Sequence, residues 1–151
     1  MDKGIVLCLI LGCVLILLFV TTFTGKDVIA SLNEKSHPLD RIRENQIKLF
    51  PDKIVIYINN SNLVSYSDTH SMNPTIDYTT KGIEIVPTNP EQIQVGDIIA
   101  FRDGSDVISH RVVSIDYDEQ GWFCKVKGDN DPIKEKVRFS QIIGVVVVLI
   151  Y

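Results

Sequence analysis

A serine follows one apolar run, a histidine interrupts another, and two aspartates follow a third. Ser71 lies in THSMNPT (69–75), just past the run NLVSYSDTH. His110 lies in VISHRVVSI (107–115), where strand alternation puts Ile108, His110 and Val112 on one face and Ser109 and Arg111 on the other. Asp129 and Asp131 lie in KGDNDP, directly after WFCKVK. Serine is a poor nucleophile until a base takes its proton, and that base works best when a third group orients it. Ser71, His110 and one of the two aspartates supply those types, in whatever order they come along the chain. Residues of these types also occur in domains without activity, where a strand histidine is a satisfied core residue.

The remaining candidates are weaker. On a strand, His70 would point away from the face of Ser71, and His37 precedes Pro38 in a polar stretch. No two histidines have helical or hairpin ligand spacing, and no CxxC or Cys/His cluster exists, so neither a metal nor a cofactor is expected. Cys124, in WFCKVK, reads as a small buried hydrophobe, with a thiol nucleophile as the lesser reading. The formal net charge is −4, with scattered basic residues and no basic stripe, which argues against nucleic acid.

These groups must be held by β structure. KIVIYI, NLVSYSDTH, GIEIVP, VGDIIAF, VISHRVVSI and WFCKVK read as strands, with hairpin turns at RDGSD and DYDEQG. The closing IIGVVVVLIY is dense in valine and reads as a buried central strand. Six or seven short strands make 54–151 a mainly β, antiparallel domain. Residues 26–53 form a polar linker, with a short juxtamembrane helix over 38–49 as the alternative. From Gly4 to Gly25 the chain carries no charge, which is long enough for one helical crossing of a bilayer at roughly 20 residues. Residues 1–25 therefore read as a retained transmembrane anchor rather than a cleaved signal, since no small-x-small cleavage site ends the run. Lys3 and Lys26 flank it evenly, so charge does not orient it.

Five stretches in order resemble the type I signal peptidases, in their archaeal and endoplasmic-reticulum branch. SMNPT (71–75) resembles the S-M-x-P-T box of the nucleophile, and VGDIIAF (95–101) the strand opening the next block. SHRVV (109–113) resembles the box carrying histidine where bacterial enzymes have lysine. KGDN (127–130) and IIGVVVV (142–148) resemble the last two. With the anchor, the resemblance implies a membrane-bound serine endopeptidase that removes signal peptides from exported precursors. Ser71 would be its nucleophile and His110 its base. Its partners would be signal peptides and membrane lipid, and its β domain would lie on the extracytoplasmic side of the cell membrane. The resemblance leaves accessory subunits open.

The same resemblance implies that substrate binds extended, as an added strand, with small residues before the cut. Met72 would line the cleft, and Ile83 and Ile85 in GIEIVP would form its wall. Two departures from the family pattern stand out. GDNDPIKEK is shortened, so Asp131 is expected to orient His110 while Asp129 serves as a structural or supporting acid. His70 replaces the small residue found before the nucleophile. The alternative function is an inactive relative that binds extended peptides or membrane partners without cutting them. A self-cleaving repressor-like protease would need a lysine base, which the histidine box does not offer.

Overall fold

The computed structural model describes residues 36–151. The expected anchor and the first part of the linker lie outside the described residues. Among the described residues no helix is long and apolar enough to cross a membrane. Nine antiparallel strands are present there: β1 (Ile47–Leu49), β2 (Ile54–Ile56), β3 (Ser61–Ser65), β4 (Lys81–Ile85), β5 (Ile98–Asp103), β6 (Asp106–Asp118), β7 (Gly121–Lys127), β8 (Lys134–Arg138) and β9 (Ile142–Ile150). β1 and β2 form a separate hairpin, and the other seven form one sheet in the order β3-β4-β9-β5-β6-β7-β8. The mainly β expectation holds, and the valine-rich β9 is an interior strand between β4 and β5.

Three local readings change. Residues 38–49 form no α-helix; a 3-10 turn over Glu44–Gln46 leads straight into β1, which pairs Ile47 with Ile56 and Leu49 with Ile54. The alternation of IKL, with a matching IVI across a short turn, outweighs the weak apolar face of a helix over 38–49. The β structure thus begins before residue 54. Secondly, the strand expected to run to residue 70 stops at Ser65, and Ser71 stands in a turn. Thirdly, β8 falls where the sequence suggests a loop. KEKVR contains one buried apolar residue, Val137, and lies at the edge of the sheet, where charged residues are common.

Adjacent residues on the central strands feed opposite faces of the sheet. Ile99, Phe101 and Val145 join Val112, Cys124, Val126 and Val137 in the larger core cluster. Ile98 and Val146 pack on the other side with Met72 and Ile76, and Tyr66 and Leu149 lie against them. Met72 and Ile76 therefore fasten the turn that follows β3 onto the sheet. Asp77 reinforces that loop by accepting hydrogen bonds from the backbone N–H groups and hydroxyls of Thr79 and Thr80, which hold its carboxyl below the usual range.

A buried ion pair ties the pieces together. Arg111 Nε and Nη2 donate to Asp129 Oδ1 and Oδ2, each at 2.8 Å, and the side chains are 9% and 3% exposed. The Thr75 hydroxyl also donates to Asp129 Oδ2, and Arg111 Nη1 donates to the carbonyls of Gly96 and Ser36. One carboxylate thereby joins β6, the 128–131 turn and the turn after Ser71. Removing one partner of such a pair leaves a buried charge uncompensated. Asp129→Ala should therefore lower unfolding stability by about 3–5 kcal/mol, measured by urea denaturation. A loss under about 1 kcal/mol would show that the pair is not needed to hold these segments.

Candidate active site

Ser71 presents its side chain from the turn that Met72 anchors. Its Oγ lies 3.1 Å from Thr69 Oγ1, and its carbonyl accepts the Asn130 backbone N–H at 2.8 Å. The Asn130 side chain donates to the carbonyl of His70, so the 128–131 turn grips the serine turn through two carbonyls. The Ser71 N–H donates to no backbone carbonyl among the described residues. His70 takes φ +59°, the left-handed region. Glycine adopts that region at no steric cost, and histidine is among the side chains enriched there. This supplies the physical reason for a small residue at this place, and for the tolerance of histidine. The His70 ring is exposed and meets Asp68 at 3.1 Å; it does not line the groove described below.

His110 is 5% exposed on β6, opposite Ile99 of β5, with its ring 6.2 Å from that of Phe101. Its Nδ1 lies 2.9 Å from Glu135 Oε2. The acid paired with the histidine is therefore Glu135 on β8, not Asp131. A carboxylate at Nδ1 favours the tautomer with the proton on that nitrogen and leaves Nε2 as the acceptor. Asp131 instead accepts the Ile133 N–H at 2.8 Å, closing its own turn. Asp129 is the structural acid, committed to Arg111.

Gly128 shows how closely the parts converge. A Cβ built there would lie 2.6 Å from the Ser71 carbonyl oxygen, 2.8 Å from Asp131 Cβ and 3.2 Å from His110 Nε2. The basic nitrogen and the serine turn thus flank a position that only glycine leaves open. No hydrogen bond joins Ser71 Oγ to His110; the serine hydroxyl is turned to Thr69.

These residues line one groove of about 620 Å³. Thr69, Ser71, Met72, His110, Asp131 and Glu135 face it, and so does Glu84 of β4. Ile83 and Ile85, expected as its wall, do not. They alternate with Gly82 and Glu84 along β4, and Ile85 packs on the larger core instead. Cys124 is fully buried in that core, where burial pushes its thiol up to about 12, which removes it as a nucleophile. Among the described residues no cluster of His, Cys, Asp or Glu could hold a metal ion.

Two of the participants escape sequence reasoning. Glu135 sits in a charged run, KEKVR, without strand character of its own. Thr69 has no motif around it; only its contact with Ser71 marks it. No protein-family model matches the chain, and no curated protein matches it.

The left-handed turn yields a stability expectation. His70→Gly should stay within about 1 kcal/mol of the parent, because the glycine entropy cost offsets the relief of φ strain. His70→Val should lose more than about 1 kcal/mol, because a β-branched side chain is an outlier there. Equal stabilities in chemical denaturation would show that the turn does not hold residue 70 in this conformation.

Proposed function

We propose that this chain is a membrane-anchored serine endopeptidase of the signal-peptidase type, with Ser71 as nucleophile, His110 as general base and Glu135 as the acid that orients it. The observation that carries the reading is a groove bearing a turn-mounted serine and a buried histidine whose Nδ1 is paired with a carboxylate. The five sequence stretches add to it. Segment 1–25 would hold the protein in the cell membrane, with the β domain on the extracytoplasmic side. The apolar exposure of Leu49, Phe50 and Ile54 on the β1–β2 hairpin accords with work near a lipid surface.

In the reaction, an extended precursor segment lies in the groove with its scissile carbonyl over Ser71. The serine side chain rotates about χ1 from Thr69 toward His110, a change between staggered positions. His110 Nε2 takes the hydroxyl proton as Oγ bonds to the carbonyl carbon, and the carbonyl electron pair moves onto oxygen. The Ser71 N–H, and the Thr69 hydroxyl once released, are donors for that oxyanion. Glu135 stabilises the imidazolium. His110 then protonates the departing amine as the C–N bond breaks, and water activated by the same histidine hydrolyses the acyl-enzyme.

The tests are direct. Ser71→Ala and His110→Ala should each abolish cleavage of a membrane precursor while leaving the thermal transition in place. Glu135→Gln should lower kcat by about 10²–10⁴-fold and alter the pH profile. Cleavage retained by the serine variant would overturn the reading. A second reading, a peptide-binding module without cleavage, is favoured by one observation: the Ser71 hydroxyl is bonded to Thr69 rather than to His110. Failure of purified wild-type protein to process any precursor, with peptide binding intact, would select it.

A further inference from the structure

The deep face of the groove carries a charge that the reaction does not use. Glu84 is 6% exposed, lines the groove, and has no hydrogen-bond partner among the described residues. Burial holds its carboxyl above the ordinary range. Beside it, the hydroxyl of Tyr66 is buried with no partner, and Glu84 adds to the burial that pushes its ionisation up. The backbone has been cleared to seat both groups. A Cβ on Gly82 would meet the Tyr66 hydroxyl at 2.0 Å, and one on Gly144 would meet Glu84 Oε2 at 2.4 Å.

A carboxylate at such a position, with no hydrogen-bond partner among the described residues, is poorly solvated unless something arrives to satisfy it. Among the described residues the other ionisable groups facing the groove are Asp131 and Glu135, with His110, and no lysine or arginine lines it. Lys81 directs its ammonium to the Ser65 hydroxyl, at 2.9 Å, and is not a lining residue. A cation with N–H donors can answer both the charge and the lone pairs of Glu84, and the phenol oxygen beside it can accept a further N–H.

We propose that Glu84 and Tyr66 form a subsite for a basic side chain, lysine or arginine, of an extended peptide lying in the groove. This deepens the peptidase reading and requires of it only that a peptide binds there. The subsite gives the groove a preference that small-residue pockets alone would not: one cationic side chain held at a fixed place along the strand. Glu84 acts in recognition, at a distance from the bond-making serine.

The experiment uses the full chain in detergent, carrying Ser71→Ala so that binding is read without cleavage. Fluorescence anisotropy follows short alanine–serine peptides in which lysine, methionine, glutamine or glutamate is walked along the sequence. Lysine at one position should bind about tenfold or more tighter than methionine or glutamine there, and glutamate weaker still. Adding Glu84→Gln, or Gly144→Ala to displace the carboxylate, should erase that preference while methionine peptides keep their affinity. Lysine, methionine and glutamine binding alike at every position overturns the subsite, as does a preference that survives both substitutions. If no peptide binds, the subsite and the peptidase reading fall together. If the lysine preference holds but wild-type protein cleaves nothing, the subsite stands and the peptidase reading falls.

Glu84→Gln also has a stability signature. Because the folded carboxyl has a raised pKa, the unfolded chain releases its proton first as pH rises. The wild type should lose stability from the ordinary carboxylate range upward and keep that deficit at neutral pH. The glutamine variant should therefore melt higher than wild type at pH 7 and no higher at pH 3; a difference independent of pH would show that the carboxyl is not desolvated.

Discussion

The Arg111–Asp129 pair does more for this site than any group that faces the groove. Arg111 follows His110 on β6, so clamping its guanidinium also fixes the backbone that carries His110. Asp129 sits one residue past Gly128, and its second oxygen takes the Thr75 hydroxyl from the far side of the serine turn. Three segments distant in sequence thus share one carboxylate. Its bidentate geometry sets orientation as well as distance, which a single lysine contact would not do. The carbonyls of Gly96 and Ser36 accept from Nη1, and Asp97 gathers Arg41 and the Leu39 N–H close by. The segment from Ser36 to Arg41 is thereby fastened to the sheet rather than left as slack linker.

Much of this could be read from the residue pattern, because much of it follows from alternation. β4, β5, β6, β7 and β9 lie where branched and aromatic residues repeat with the period of a half-buried strand. Ser71 and His110 were recognisable as the two groups that interrupt such runs. What escaped reading depended on contacts rather than on pattern. β8 shows one apolar residue and gains its strand character from pairing with β7, so Glu135 looked like an ordinary charge between lysines. Asp131, directly after the KGDN stretch, spends an oxygen on closing its own turn. Ile83 and Ile85 were apolar and well spaced, but the parity of β4 sends them to the face away from Glu84. A shift by one residue reverses every assignment on a strand, and periodicity alone does not say which parity meets the groove.

The groove combines a rigid frame with costly contents. Its frame is apolar: Met72 and Ile76 press the serine turn onto Ile98 and Val146, and His110 rests against Phe101. Within that frame three carboxyls and a histidine line the groove, and the most buried carboxyl, Glu84, has no hydrogen-bond partner among the described residues. Such groups lower stability unless they are answered by a ligand, the pattern in which function is retained at the expense of folding energy. The glycines at 82, 128 and 144 belong to the same arrangement. Each removes a side chain where a Tyr66, Ser71 or Glu84 atom occupies the space.

The left-handed residue before Ser71 divides the turn into an inner and an outer register. Thr69 and Ser71 face the groove, and His70 between them faces solvent, its carbonyl engaged by Asn130 and Asn73 and its ring by Asp68 outside the groove. The backbone therefore dictates the sign of a torsion angle at position 70 and is indifferent to the chemistry displayed there. Glycine, asparagine, aspartate and histidine all meet that requirement. A linear signature that counts this position as part of the motif scores a residue whose side chain takes no part in the site. Divergence can accumulate in the string of letters around a nucleophile while the shape that presents it stays unchanged.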